Sequence, residues 1–104
     1  MLKWVAPFDP DETKDYSRNW TEEMDGISDT ILSSQFVVIT VDSGLAVAST
    51  SIDPSGKITI VWFTTSNITQ LRALRGTTIL LDHTITTSGG RIYNETIGLK
   101  IKEK

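Results

Sequence analysis

The chain has 104 residues and a formal net charge of −3, a size that suits one domain with one core. It has no cysteine, which excludes disulfides, thiolate metal sites and cysteine nucleophiles, and its acidic total disfavours nucleic acid as a partner. The N-terminal segment is too short and too interrupted for a signal peptide, and no apolar run approaches the ~18 residues of a membrane span, so we expect neither export nor a membrane partner.

Residues 1–14 predict an extended N-terminal arm, followed by one domain over residues 15–104. Pro7, Pro10 and the neighbouring acids disfavour both a helix and a central strand. Trp4 and Phe8 are apolar anchors in this polar segment, and two interpretations stay open. They lie under the edge of their own domain, or they dock on a neighbouring subunit.

The first half of the domain predicts three strands and one helical turn. Tyr16–Trp20 alternates and is predicted as a strand, and Thr21–Met24 as a helical turn with Thr21 as its N-cap. Thr30–Val41 is a longer strand whose two faces are both partly apolar, which predicts a bulge or burial on both faces. Leu45–Ser49 follows as a strand of small residues.

Lys57–Thr65 is the clearest strand, because apolar residues alternate along it without a break. We assign one of its faces to the core, with Trp62 as the large core residue that a sandwich strand often carries. The members of that face are Ile58, Ile60 and Trp62. The next segment contains one predicted helical turn, Leu71–Leu74, too short to be stable alone.

The last two strands predict a hairpin. Thr77–Thr87 and Arg91–Lys102 flank a Ser-Gly-Gly turn at residues 88–90. The predicted inward residues of the two strands are Ile79, Leu81, His83, Ile85, Ile97, Leu99 and Ile101. Short alternating strands without a long helix predict an all-β, immunoglobulin-like sandwich of six to seven strands with an extended N-terminal arm, in preference to a barrel.

We find no set of residues with the spacing of a catalytic, cofactor or metal site. His83 is the only histidine, and adjacent Asp82 points to the opposite strand face and cannot orient it. One histidine with scattered acids does not make a zinc site, and the acids after Phe8 lack the ligand order and glycine of a calcium loop. We therefore expect no catalytic residue, no cofactor and no metal.

Charge divides unevenly along the chain. Residues 1–52 carry nine acids against three basic residues, and residues 53–104 carry seven basic residues against four acids. This is either chance variation or a basis for head-to-tail packing of copies in a ring. As candidate partner-binding residues we name Trp4, Phe8, Arg72, Arg75 and Arg91. The outer edge of the final strand is a further candidate, because an open edge can accept a partner's strand.

The order of these pieces resembles the phage fiber–tail adaptor family, and is similar to gene product 77, a small structural protein of a lambdoid-like siphophage. The matching stretches run from about residue 8 to the end of the chain. In place of the family's usual pattern, this chain has Ile79 where an aromatic is common and Gly89-Gly90 where one glycine is common. The stretches are residues 8–12, 15–17, 29–31, 59–63, 85–91 and 99–101, with Trp20, Ser33, Ser34, Gly44, Leu45 and Gly76.

The resemblance implies a virion structural protein that acts by protein–protein assembly at the tail or head–tail region, without catalysis or cofactor. Its partners would be other phage tail, fiber or neck proteins, it would form a homo-oligomer in the particle, and it would be made in the host cytoplasm. An alternative is a host-surface or carbohydrate-binding immunoglobulin-like module, which would use an exposed Trp62 or Tyr93 on a Ser/Thr-rich sheet face.

Overall fold

The computed structural model describes residues 2–103, whose backbone forms two packed β-sheets. Two short helices, α1 (Thr21–Ile27) and α2 (Ile68–Ala73), interrupt the strands. The predicted all-β sandwich is confirmed. Its strands are β1 (Leu2–Lys3), β2 (Lys14–Asn19), β3 (Ile31–Val38), β4 (Leu45–Ile52), β5 (Ile58–Thr65), β6 (Thr78–Thr87) and β7 (Ile92–Lys100).

The sheets have the orders β1-β7-β6-β3 and β2-β5-β4, and every pairing is antiparallel except that of β1 with β7. Strands β3 and β4 approach each other at one lateral side of the sandwich. At the other side, Arg18 of β2 reaches Glu95 of β7. We call these the open side (β3 and β4) and the arm side (β1, β2 and β7).

The interior contains two apolar clusters. The larger one lies where the N-terminal arm meets both sheets, and the smaller one lies under α1. Members of the larger cluster are Phe8, Tyr16, Phe36, Leu45, Val61, Phe63, Leu71, Ile79, Leu81, Ile97, Leu99 and Ile101. Members of the smaller are Trp20, Met24, Ile31 and Ile85. The inward faces predicted for β6 and β7 are therefore confirmed.

The bulge predicted in the third strand is also confirmed. Ile31 pairs with Thr87 and Ser33 with Thr86, so Leu32 is the extra residue on β3. Because the bulge changes the phase of the strand, Ile31 and Phe36 are both buried although their numbers differ in parity. The sequence of this strand has two partly apolar faces for that reason.

The face assigned to β5 is wrong. Val61 and Phe63 have no exposed surface, whereas Trp62 is 42% exposed and Ile58 and Ile60 are only half-buried. Both alternating sets on this strand are apolar, so periodicity identifies the strand but does not choose its inward face. The aromatic volume expected from Trp62 is supplied by Trp4, whose ring lies 5.9 Å from that of Phe63.

The helix cap proposed at Thr21 is likewise wrong. Trp20 occupies the N-cap position, and its side chain makes no capping hydrogen bond. Instead, the Asn19 side-chain oxygen accepts a hydrogen bond from the Thr21 backbone N–H at 2.9 Å. The helix continues past Gly26 to Ile27 and ends at Ser28, which adopts a left-handed conformation with φ 52°.

Candidate interaction surfaces

The arm side is closed by the chain's own N-terminus. Leu2 and Lys3 pair in parallel with residues 97 and 98 of β7, and the Phe8 N–H donates to the Lys100 carbonyl at 2.8 Å. Phe8 has no exposed surface, and the indole N–H of Trp4 donates to the Ser17 carbonyl at 2.9 Å. Both aromatic anchors thus contact the core of their own domain, and Phe8 presents no surface to a neighbouring subunit.

An ion pair links the two sheets on the same side. The Arg18 guanidinium contacts Glu95 through Nε at 2.7 Å and Glu23 through a terminal nitrogen at 3.3 Å. Its planar group also lies 3.9 Å from the centre of the Trp20 ring. A guanidinium that binds carboxylates from two other elements while stacking on an indole is held in one orientation. This side therefore presents fixed charges and a partly occupied strand edge.

In contrast to the arm side, both strands of the open side are uncharged. No charged residue occurs from Thr30 to Val41, which includes all of β3, or from Ser43 to Ile52, which includes all of β4. Among residues 2–103, no strand pairs with the outer edge of either strand. Natural sheets usually protect such edges with charges, proline or bulges, because open backbone groups recruit other strands.

Bulges protect only part of the open side. In β4 the register shifts between Val47 and Ser49, near the middle of the strand. In β3 the shift lies at Leu32, near the start, and the register from Ser33 to Val38 is regular. Strand β3 therefore offers six consecutive residues of uninterrupted, uncharged edge.

Exposed apolar side chains adjoin that edge on the outer face of the four-stranded sheet. Val37 and Ile39 are each 46% exposed, and Leu80 of β6 lies beside them, with its carbonyl accepting the Ile39 N–H at 2.9 Å. Val41 extends the patch into the following turn. We call these four residues, Val37, Ile39, Val41 and Leu80, the apolar strip.

The outer face of the three-stranded sheet carries an exposed aromatic residue among polar ones. Trp62 stands on it with Asp15 of β2 on one side and Ser49 of β4 on the other. The next outward residue of β5, Ile60, pairs with Ser17 and Ser51. An exposed indole is thus surrounded by hydroxyls and one carboxylate. Tyr93, the other aromatic proposed for such a face, instead packs against the smaller core cluster.

The three candidate arginines are all engaged by carboxylates. Arg72 contacts Asp11 at 3.0 Å and Glu103 at 2.8 Å, and Arg75 contacts Glu103 at 3.6 Å. Arg91 contacts Asp29 at 2.9 Å.

The opposite charges of the two halves of the sequence thus form ion pairs within the fold. Basic residues of the second half pair with acids of the first in the pairs Arg72–Asp11, Arg91–Asp29 and Lys57–Asp25. Such pairs depend on contacts between residues distant in sequence, which charge counts along the chain do not reveal.

Asp29 fastens the β6–β7 hairpin to the start of β3. Its carboxylate accepts hydrogen bonds from the Thr30 and Gly89 N–H groups and from Arg91. The Thr87 hydroxyl contributes most to lowering the Asp29 pKa to about 2, against the opposing effect of burial, with smaller contributions from these three donors. A Cβ at Gly89 would lie 2.8 Å from the Arg91 guanidinium and 2.9 Å from the Asp29 carboxylate, so a larger residue here would displace one of these two side chains.

His83 lies in the interior between the two sides. It is fully buried, its ring stacks on Phe36 at 3.8 Å, and its Nε2 is 3.0 Å from the Ser34 hydroxyl. Burial, and secondarily the positive charge of Arg18, lowers the His83 pKa to about 4, while Asp82 acts weakly in the opposite direction. The histidine is therefore a neutral core residue at physiological pH.

One shallow cleft of about 440 Å³ lies between the segment after Phe8 and the loop that leads into α2. Its walls are mostly hydroxyls and acids, and it is wide open to solvent. Within residues 2–103, no three His, Cys, Asp or Glu side chains group closely enough to hold a metal ion. Over that same range, no helix is long and apolar enough to cross a membrane. The cleft is lined by Pro10, Asp11, Glu12, Thr13, Thr64, Thr65, Ser66 and Ile68.

A family model described as podophage GP4 fiber-tail adaptor protein gp77 matches residues 9–100. The chain belongs to this family. The description names podophages, where the resemblance in the sequence pointed to a siphophage. No curated protein matches the chain. The matched region includes Asp29 and Arg91, which form an ion pair, and it begins after Trp4 and Phe8.

Sequence reasoning missed the open side as a candidate site. The signal was present as two uncharged segments in a chain that is 22% charged, each long enough for a full strand. What the sequence did not reveal is that both strands are terminal in their sheets and lie together, since strand order depends on pairing between distant residues.

Proposed function

We propose that this chain is a non-catalytic structural protein of the virion that joins other phage proteins at the tail or head–tail region. Its family is described as a fiber-tail adaptor, so the partners that we propose are tail, fiber or neck components. It is made in the host cytoplasm and enters the particle by assembly, as a homo-oligomer. Binding is by surface complementarity, without a cofactor and without nucleic acid.

The observation that carries this proposal is the open side. Among residues 2–103 the uncharged β3 edge has no strand partner, and beside it the apolar strip is exposed to water, which lowers solubility. Both features become favourable when a partner covers them, because the edge gains hydrogen bonds and the strip loses contact with water.

The arm and the arginines receive secondary roles. Trp4 and Phe8 support the adaptor by fixing the arm to β7, so the arm acts on assembly through the stability of the domain. The side chains of Arg72 and Arg75 are 45% and 64% exposed, and we assign them rim contacts with an acidic partner. Arg91 holds the hairpin through Asp29 and contributes to binding only indirectly.

The test is complementation of a phage that lacks this chain, with copies per particle measured by mass spectrometry. The double variant Gln35→Lys, Val37→Lys places charges on the outer face along β3, and we expect incorporation to fall by about tenfold or more. Ile92→Lys is the matched control, since Ile92 is also an exposed apolar residue of that face but lies on β7. Normal incorporation of the double variant would contradict the proposal.

A second candidate function is supported by the Trp62 face. An exposed indole among serines and an aspartate has the composition of a platform that stacks on a sugar ring and hydrogen-bonds its hydroxyls. Titration with host surface polysaccharide should change the tryptophan fluorescence of the wild-type protein and not that of Trp62→Ser. Wild-type fluorescence that does not respond to the polysaccharide removes this candidate.

A further inference from the structure

We propose that the occupant of the β3 edge is β3 of a second copy of this chain. The two strands would pair antiparallel about a two-fold axis and join two four-stranded sheets into one of eight strands. This inference rests on the proposed function, because it names the partner that covers the open side. It concerns the edge from Ser33 to Val38 together with the apolar strip.

Strand β3 is favoured over the other open edges. The bulge in β4 leaves no regular stretch longer than four residues on either side of it. The edge of β7 is occupied by the arm at residues 97 and 98 and again near Ile101, and its remaining part includes the charged Glu95. Among the strand edges within residues 2–103, only β3 combines a regular register, six consecutive residues and the absence of charge.

Self-pairing is favoured because the strand is compatible with itself. A two-fold contact places each strand against an identical one, so a charge near the axis would lie close to the same charge on the other copy. From Thr30 to Val41 there is none. The nearest acid on the same face, Asp82, lies across from Val37 on β6, and its carboxylate accepts a hydrogen bond from Asn94 of β7, on the side of β6 away from β3.

The pairing also buries the apolar strip. Antiparallel strands in a continuous sheet keep their outer faces on the same side, so outward residues of one copy lie opposite outward residues of the other. In a two-fold register centred on Val37, the Val37 side chains of the two copies lie opposite each other, and Ile39 of each copy lies diagonally across from Val37 of the other. Leu80, adjacent to Ile39 in each copy, extends the contact.

The contact is small, so we expect a weak dimer that the repeated geometry of a particle would strengthen. A pair of short strands with a few apolar residues lies at the low end of specific interfaces, which corresponds to a dissociation constant of roughly 10 to 100 μM. The isolated protein would be a monomer in dilute solution and a dimer at high concentration.

Sedimentation velocity over a concentration series tests this with the full chain. The wild type should shift from monomer to dimer between about 5 and 500 μM, and Val37→Lys should remain monomeric throughout, because the pairing places two lysines together. Ile92→Lys should dimerise like the wild type. A wild type that stays monomeric at the highest concentration overturns the inference, as does a Val37→Lys that dimerises normally.

Disulfide trapping gives a second readout that does not depend on the folding of a lysine variant. The chain has no cysteine, so the double variant Gln35→Cys, Val37→Cys starts from a clean background. In the three central two-fold registers, these positions lie opposite each other or themselves, so mild oxidation should give a covalent dimer. The matched variant Ile92→Cys, Asn94→Cys on β7 should give little. Equal trapping at both sites overturns the inference.

The two proposals fail in different ways. If the wild type is always monomeric while Gln35→Lys, Val37→Lys abolishes incorporation, a different protein covers the open side and only the self-pairing is wrong. If the protein dimerises through β3 but the same double variant enters particles normally, the dimer stands and the proposed function fails.

Discussion

The two lateral sides of this sandwich differ in how their strand edges are covered. On the arm side, the chain lays its own N-terminus along β7 and connects the sheets through Arg18 and Glu95. On the open side, β3 and β4 carry no charge and nothing within residues 2–103 pairs with their outer edges. The arm side is covered by the chain itself, and we propose that the open side is covered by another chain.

Because of this difference, we expect the arm side to determine the stability of the domain and the open side to determine its assembly. Apolar residues on the arm side, such as Phe8 and Trp4, pack into the core. Apolar residues on the open side, such as Val37 and Ile39, remain in contact with water. Substitutions on the arm side should therefore lower the free energy of unfolding, whereas those on the open side should change binding and leave the fold intact.

The largest expected effect is that of Phe8→Ala. Phe8 is fully buried and its backbone is hydrogen-bonded to Lys100 and Lys102, so the truncation should lower the free energy of unfolding by about 3–5 kcal/mol. Val5→Ala, on the same arm but fully exposed, should change it by less than about 0.5 kcal/mol. Urea denaturation measures both. Equal, small losses would mean that the arm does not belong to the core.

The next effect is a dependence of stability on pH that His83 should produce. Its folded pKa of about 4 lies below the ordinary value of 6.5, so the unfolded chain binds the proton more readily. The contribution of His83 to the free energy of unfolding should be complete above pH 6.5. It should decrease as the pH drops toward 4, by on the order of 2 kcal/mol. The lowered pKa of Asp29 acts in a separate window, below about pH 4.

Denaturant unfolding at several pH values checks this, with His83→Gln as the comparison. Glutamine does not titrate, so the variant should lose most of the slope between pH 6.5 and 4, whatever its overall stability. A wild-type protein whose stability is flat in that window would show that His83 is not held neutral by its surroundings.

A smaller effect is expected from Glu95→Gln on the arm side. The substitution removes a charge that binds Arg18 in a partly buried position while Glu23 remains as a second partner, so we expect a loss of about 1–2 kcal/mol. Combining it with Arg18→Met in a double-mutant cycle isolates the pair. Additive losses in the cycle would mean that the two sheets are not coupled by this contact.

The smallest effect should come from Ile39→Thr on the open side. Ile39 is 46% exposed and lies just beyond β3, so the free energy of unfolding should change by less than about 0.5 kcal/mol. The same variant should weaken dimerisation in sedimentation, because it removes apolar surface from the strip. A large loss of stability would show that the strip supports the monomer, and the distinction between the two sides would fail.

Much of the fold could be predicted from alternation and turn residues. The hairpin of β6 and β7, the inward placement of His83 and the irregularity in β3 all depend on local patterns of period two. The inward face of β5 could not be predicted, because both of its faces are apolar. The buried face contacts Trp4 through Phe63, and Trp4 comes from a segment far away in sequence.

The candidate sites were harder to predict than the elements. An arginine that binds a partner and one that binds its own domain look alike in sequence. Arg91 and Asp29 are 62 positions apart, and only the hairpin brings them together. The open side depends on which strands terminate each sheet, and that order is set by pairing energies summed over the whole chain.

Amide hydrogen exchange, compared between the isolated chain at low concentration and the chain in assembled particles, tests the central claim on both sides at once. The account predicts that those amides of Ser33–Val38 that face away from β6 exchange quickly in the isolated chain and become protected in particles, while residues 97–100 of β7 are protected in both states. Protection that appears on β7 while β3 continues to exchange quickly would contradict it.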